Sequence, residues 1–382
     1  MSLTEPASSK PSYQRVVVKI GSSSLTDEQG RLDKQAVARL AEQVKALRDQ
    51  GTEVVVVSSA AISAGLERIG YAAGRPSDLP TLQAAAAIGQ LVLSQAYAET
   101  FADYGLSLGQ VLLTRFELEN RSSYLHARDT LERLLELGFT PLINENDTVA
   151  VEEIRFGDND TLAAQVGILV RADLVVLLSD IQGLYTADPR IHEDAKLLES
   201  IGSFTREVVE AAGAAGSARG SGGMITKLEA ARMCMAAGIP MVICHGSRPN
   251  AVLSAVSGQS VGTLFGGETT GHAVSARKLW QALAGAVKGS LNIDAGAQSA
   301  LEKNGSSLLA VGIRSVEGRF EADSVVDIRS LDGMLIGRGL SAYSSQEAAL
   351  AAGKKSTELA EVAELAHLAH TAVVHRDRLV IF

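Results

Sequence analysis

Blocks of apolar and polar residues alternate along the first two thirds of the chain. Arg15–Ile20 (RVVVKI), Glu53–Val57 (EVVVV) and residues 109–113 (GQVLL), 140–143 (TPLI), 174–178 (LVVLL) and 241–244 (MVIC) are short, nearly continuous apolar runs rich in Val, Ile and Leu. Runs this short, with no polar face, predict strands buried on both sides. Between them lie segments whose apolar residues recur every three or four positions: LDKQAVARLAEQVKALRDQG, TLQAAAAIGQLVLSQAYAETFADYG, SSYLHARDTLERLLELG and KLEAARMCMAAG. Each closes on Gly, the residue that most readily takes the left-handed turn ending a helix. Strands alternating with helices predict an α/β fold, a mostly parallel sheet covered by helices on both faces.

The texture changes after VGTLFGG (261–267). GETTGHAVSA reads as a polar linker, and residues 277–283, with the single tryptophan Trp280, form a short amphipathic piece. From about residue 287 the apolar runs are brief and broken by Gly, Asp, Asn and Ser, which predicts a small β-rich domain. SSQEAALAAGKKSTELAEVAELA reads as one or two helical pieces, and AVVHRDRLVIF closes as a strand. The division expected is a first domain over 11–265, a linker over 266–286 and a second domain over 287–382.

Polar residues gather where the predicted strands end. Lys19 and Gly21-Ser22-Ser23 follow the first strand, Ser58-Ser59 the second and Thr114-Arg115 the third. Asn144-Glu145-Asn146-Asp147 follow the fourth, Ser179-Asp180 the fifth and His245-Gly246-Ser247 the sixth. Open α/β sheets bind ligands outside the carboxyl ends of their strands, so one site assembled from many strand ends is expected. Lys19 stands at the inner end of an apolar strand, where an unpaired ammonium is costly. A bound anion would satisfy it, with a structural salt bridge as the bland alternative.

Two Asn/Asp clusters flank the stretch TVAVEEIRF (148–156), whose alternation reads as strand or hairpin: Asn144–Asp147 before it and Asp158-Asn159-Asp160 after it. Helix capping accounts for one residue of the second cluster, not for all three. Carboxylates and amides converging on one crevice suit a polar molecule bearing an ammonium group, which points to an amino acid.

The glycine-rich stretch SARGSGGMITKLEAA lacks the Gly-Lys-Ser/Thr ending of a phosphate-binding P-loop. A helix is expected to begin near Met224, with Lys227 in its first turn, where a cation opposes the helix dipole. A nucleotide phosphate would compensate it, although a flexible loop before an ordinary helix has the same composition. His375-Arg376-Asp377 imitates a protein-kinase catalytic loop but lies close to the end of the chain with no downstream partner motif.

Bulk composition narrows the classes. A net charge of -9 and a pI near 5.4 argue against a chain that lives on nucleic acid or anionic membrane. Cys234 and Cys244 sit in apolar surroundings and read as buried small residues, with no disulfide or zinc spacing. MSLTEPASSKPSYQ has no apolar core of a signal peptide, and no apolar run approaches the roughly 18 residues that span a bilayer. A soluble, cytoplasmic protein is expected.

VVVKIGSSSL, VVVVSSAAISAG, LLTRFELENR, LINENDTVA, GDNDTLAAQ, LLSDIQGLYTADPR, GSGGMITKLEAA and SVGTLF occur in that order. Together they resemble the amino acid kinase family, in its branch that phosphorylates the side-chain carboxylate of glutamate. GSSLLAVGIRSVEG and GRGLSAYSS resemble the PUA domain attached to many bacterial members of that branch. The resemblance runs from about Arg15 to Arg378. It implies transfer of the γ-phosphoryl group of ATP to L-glutamate, with Mg2+, opening proline biosynthesis. By resemblance Lys19 and Lys227 hold the transferring phosphoryl and Asp160 orients them. Ser59, Asp147 and Asn159 bind glutamate; Ser179, Asp180 and the segment Ser221, Gly222, Gly223, Met224, Ile225, Thr226 and Lys227 hold ATP. No protein residue is assigned to the metal. The resemblance also implies dimers or tetramers, inhibition by proline and hand-over of product to glutamyl phosphate reductase. The family pattern Thr-Ser-Gly-Ala is Ser58-Ser59-Ala60-Ala61 here, and Ser179 stands in place of the usual Thr.

The chemistry agrees with what is missing. A carboxylate is already a nucleophile at neutral pH, so no general base is required, and of the seven histidines only His245 lies at a strand end. Kinases acting on N-acetylglutamate, aspartate, carbamate or a nucleotide are the nearest alternatives, and a carboxylate at Asp147 favours a free α-ammonium over an acetylated one. RNA binding through the second domain is disfavoured, since residues 290–382 hold nine Lys and Arg against twelve Asp and Glu.

Overall fold

The computed structural model describes residues 13–27, 30–71, 76–150, 159–214, 223–267 and 274–382. The first module is built on eight strands: β1 (Arg15–Ile20), β2 (Glu53–Val57), β3 (Leu108–Leu113), β4 (Thr140–Glu145), β5 (Leu174–Ser179), β6 (Ser200–Ile201), β7 (Met241–His245) and β8 (Gly262–Phe265). They lie in the order β3-β4-β2-β1-β5-β7-β8-β6. Every pairing is parallel except β7 with β8. The six expected strands are all present within a residue or two of their predicted ends. β6 and β8 were not anticipated: one is two residues long and the other an antiparallel addition near the edge, so neither has the long apolar run of a central strand.

Helices cover both faces: α1 (Ser22–Leu25), α2 (Lys34–Asp49), α3 (Ala61–Arg68), α4 (Leu79–Asp103), α5 (Arg115–Glu119), α6 (Arg121–Glu136), α7 (Asp160–Leu169), α8 (Arg206–Ala214), α9 (Met224–Ala236) and α10 (Ala251–Val256). One core, with Val17, Val55, Val175 and Ile243, lies under α6, α7 and α9; the other, with Val16, Val54, Val176 and Cys244, lies under α2, α4 and α10. Alternate residues of the same strands feed opposite faces, as the two-residue side-chain period requires. Gly51, Gly105, Gly138 and Gly238 follow helices at positive φ, the stop signals expected there. α3 and α4 cross on glycines: a Cβ on Gly65 would lie 1.7 Å from the Ala85 carbonyl oxygen and one on Gly89 1.8 Å from that of Ala61. This close approach fixes the start of α3 at the carboxyl end of β2. Both cysteines are buried and free. Burial pushes the Cys244 thiol up to about 12, and Cys234 is shifted upward for the same reason.

The segment around Trp280 forms α11 (Ala276–Leu283). Leu279, Ala282 and Leu283 enter the first module's core, and the Trp280 indole Nε1 donates to the Leu118 carbonyl at 2.8 Å. The second module is a sheet of β9 (Gly289–Ile293), β10 (Ile313–Gly318), β11 (Val325–Ser330), β12 (Leu335–Ser341) and β13 (Val374–Ile381) in the order β10-β9-β11-β12-β13. Its own core of Leu291, Ile293, Ile313, Val326, Ile328 and Tyr343 is closed by α12 (Ala295–Asn304), α13 (Ser345–Ala351) and α14 (Ser356–Ala360). The β-rich reading of this part holds, with the helical stretch split in two. His375-Arg376-Asp377 lies along β13, where the Nδ1 of His375 accepts from the Asp377 backbone, so it is ordinary strand.

Candidate active site

Three charged groups from distant parts of the chain meet in the interior. Lys19 pairs in register with Val57 and Leu177 on either side of β1, and only 2% of its surface is exposed. Its Nζ lies 2.6 Å from Oδ1 of Asp160, and Nζ of Lys227 lies 3.0 Å from Oδ2 of the same carboxylate. Thr226 Oγ1 donates to Oδ2 at 3.1 Å. Asp160 is fully buried at the first position of α7, where the helix dipole favours an anion. Two ammonium groups thus meet on one carboxylate in a nearly dry setting, an arrangement suited to receiving an anion. The compensating anion expected for Lys227 is supplied within the chain by Asp160, which also satisfies Lys19.

Beside this group a cleft opens, lined by Ser22, Ser59, Ala60, Asn144, Glu145, Asp147 and Asn159. Asn159 precedes Asp160 and does not cap α7 with its side chain, contrary to the simplest reading of that cluster. Its Nδ2 instead donates to the Ser58 carbonyl at 2.6 Å and to Oδ1 of Asn144 at 2.7 Å. A carbonyl can only accept, so this bond fixes the amide orientation and leaves the Asn159 oxygen to the cleft. Asn144 Nδ2 donates onward to Oε1 of Gln90 on α4 at 2.7 Å. The two polar clusters thus lock the ends of β2 and β4 to α4 and α7.

Ser59 Oγ is buried and has no hydrogen-bond partner among the described residues. Such a group costs about 1–3 kcal/mol until something pairs with it, and it faces the cleft. Ala60, next to it, has φ of 76°, in the left-handed region. The family pattern has glycine here, and the alanine costs about 1–2 kcal/mol of backbone strain. Residues 147–149 form a turn, and 148–150 are not the start of a strand. Residues 151–156 and Asp158 lie outside the described residues, as do Ser221 and Gly222.

On the far side of the charged group, Ser179 ends β5 and donates to Asp180 Oδ1 at 3.0 Å. Gly223 caps α9 through its backbone alone, Met224 is buried in the core and Ile225 is exposed. Only the backbone of Met224 can therefore face a ligand. Thr114 is spent in a capping box with Glu117, and His245 accepts from the Ser247 backbone. Within LYTADPR, Asp188 accepts from the side chain and then the backbone of Arg190, which hold its carboxyl down to about 2 and shape that loop. Among the described residues no three His, Cys, Asp or Glu side chains cluster as metal ligands.

Comparison with known proteins gives the same frame. Residues 14–245 match the amino acid kinase family and residues 289–363 the PUA domain. The chain is 47% identical over 368 residues to glutamate 5-kinase of Trichlorobacter lovleyi, covering 96% of each. It is 43% identical to glutamate 5-kinase of Caldanaerobacter subterraneus subsp. tengcongensis, covering 96% of this chain and 97% of that one. The corresponding enzyme of Moorella thermoacetica is 43% identical, with 96% of each covered.

The chain belongs to the glutamate 5-kinase family.

As a member of the glutamate 5-kinase family it brings Lys19, Asp160 and Lys227 into contact, and Ser59, Asp147 and Asn159 into one adjoining cleft. Two further residues belong to this frame and were not singled out from the sequence. Glu145 adds a second carboxylate to the cleft and stood within the quoted cluster. Gln90 buttresses Asn144, and its only signal was an amide in the otherwise apolar run AAAAIGQLVL.

Proposed function

We propose that this protein transfers the γ-phosphoryl group of ATP to the side-chain carboxylate of L-glutamate, giving L-glutamyl 5-phosphate and ADP, the step that opens proline biosynthesis. The observation that carries this reading is the buried Lys19–Asp160–Lys227 group lying next to a cleft edged with carboxylates and amides. Glutamate's α-ammonium would pair with Asp147, assisted by the Asn159 oxygen, while the buried Ser59 hydroxyl meets a polar atom of the same substrate. Its γ-carboxylate then faces the two lysines. The carboxylate oxygen forms a bond to Pγ as the bond from Pγ to the bridging oxygen of ADP breaks, and no proton moves.

Phosphoryl transfer depends on positioning and on stabilising charge spread over the equatorial oxygens. Lys19 and Lys227 supply donors there, and Asp160 holds both ammonium groups in place. Ser179, Asp180 and the start of α9 from Gly223 to Thr226 would border the nucleotide. Both oxygens of Asp160 are engaged by Lys19, Lys227 and Thr226, which fits a magnesium ion carried mainly by nucleotide phosphates rather than held in a protein cage. Such an ion would neutralise phosphate charge.

The same reading includes a cytoplasmic setting, in keeping with the absence of any membrane-spanning helix among the described residues. It also includes assembly into dimers or tetramers, supported by exposed Ile88 and Leu91 on α4, Leu112 on the edge strand β3 and Phe116 on α5. Proline inhibition and hand-over to a reductase belong to it as well. The test is to incubate the protein with ATP, magnesium and glutamate, N-acetylglutamate or aspartate, trapping acyl phosphate with hydroxylamine. Hydroxamate from glutamate alone is expected. Hydroxamate from N-acetylglutamate instead, or none at all, would overturn the assignment.

A further inference from the structure

The second module is tied to the helix that carries Lys227. Cross-strand pairing places Glu317, Ser290, Asp327, Arg338 and Val380 in one row across its sheet, from β10 to β13. Arg338 is 7% exposed, and its Nε donates to Oδ1 of Asp327 at 2.8 Å. Its other arm leaves the sheet and reaches Oε1 of Glu229 on α9 at 2.6 Å. Asp327 also accepts from Arg329 at 2.8 Å, so a ladder of alternating charge crosses from one module to the other. The planar guanidinium fork suits this junction, since it holds donors in fixed directions toward two carboxylates, which a flexible ammonium does not.

Glu229 stands two residues beyond Lys227, about 200° around the helix. Opposite flanks of α9 are therefore gripped, one through Lys227 by Asp160 and the other through Glu229 by Arg338. Among the described residues Gly223 gives the helix no side-chain cap, and a cation in the first turn opposes the dipole. Arg232, one turn on from Glu229, stacks its guanidinium on the Phe204 ring at 4.1 Å while staying within reach of the Glu229 charge.

We propose that Arg338 is a positioning residue for phosphoryl transfer, acting through Glu229 to seat α9 and hence Lys227 against Asp160. This rests on the kinase reading above. Misplacing a reacting group by 1 Å costs on the order of 10²-fold in rate, so a smaller shift of α9 should cost about 10-fold.

The test compares Arg338→Ala, Glu229→Gln and the double variant in the full chain, with kcat and KM from hydroxamate formation and folding from circular dichroism. Each single change should lower kcat per folded molecule about 10-fold while both KM values stay within about twofold, and the double variant should be no worse than either single, since both break one interaction. A merely structural role would lower the melting temperature and leave kcat of the folded fraction unchanged. A folded Glu229→Gln variant with kcat within about twofold of wild type, or single losses that multiply in the double variant, would overturn the proposal. If Arg338→Ala does not fold, Glu229→Gln decides alone, because that side chain is 28% exposed and its loss opens no core. A wild-type protein that makes no hydroxamate from glutamate would instead defeat the kinase reading itself.

Discussion

Replacing Asp160 by Asn tests the charged group at its centre. The change keeps the shape of the side chain and removes a carboxylate that Lys19 and Lys227 share, at 2.6 and 3.0 Å, with Asp160 fully buried and both lysines nearly so. An ion pair at such range attracts by roughly 4 kcal/mol or more at an effective dielectric of 20. Much of that is offset by desolvation in the intact protein, but not once the carboxylate is gone and two ammonium groups stay buried. Breaking a buried pair by removing one partner costs about 3–5 kcal/mol. For a module of this size each kcal/mol lowers the melting temperature by about 2–4 °C, so a fall of roughly 6–20 °C is expected. With the lysines no longer held, kcat should fall on the order of 10²-fold, the usual penalty for losing a preorganised electrostatic donor. Thermal melting by circular dichroism and hydroxamate kinetics read the two effects separately. A variant that melts within about 2 °C of wild type would show that the lysines are held by other groups. One that keeps kcat within about threefold would take Asp160 out of the mechanism.

Three further outcomes follow from single residues. Asp147→Asn should raise KM for glutamate strongly and leave KM for ATP within a few-fold, because a charge-assisted bond to the α-ammonium becomes a neutral one about half as strong; steady-state kinetics with both substrates decides, and the opposite pattern would move Asp147 to the nucleotide side. Ala60→Gly should relieve about 1–2 kcal/mol of left-handed strain, less the roughly 0.5–1 kcal/mol that glycine's extra unfolded freedom costs; a denaturant midpoint below that of wild type would contradict the strain argument. Asp188 has its carboxyl lowered from 3.8 to about 2 by Arg190, so its contribution is complete above pH 3.8 and is lost as pH falls through about 2. Denaturation of wild type and Asp188→Asn across that range should show a stability gap that closes toward low pH, and a gap independent of pH would refute the linkage.

By itself the sequence determined the α/β order, the six central strands and the residue types at their carboxyl ends. Those signals are local, since a buried parallel strand must be apolar on both faces and a helix must repeat every three or four residues. It also marked Lys19 as a charge at the inner end of an apolar strand, Lys227 as a cation opposing its helix dipole and Asp160 as part of a polar cluster, each needing partners of some kind. Which partner each would find was beyond local pattern. Asp160 is 141 residues from Lys19 and 67 from Lys227, and the three meet only because the sheet sets β5 between β1 and β7 and packs α7 against α9. Asn159, read in sequence as part of a polar cluster and by resemblance as a glutamate ligand, is also a clamp on Ser58 and Asn144 because the end of β2 lies within its reach. Ala60 showed in sequence only as a missing glycine, and its left-handed backbone is imposed by the tight crossing of α3 on α4. Trp280 read as part of a linker and is docked on the first module, while Arg338 gave no signal at all until the second sheet laid it against Glu229. Periodicity records what a residue needs from its own strand or helix; the packing of elements far apart in the chain decides which neighbour supplies it.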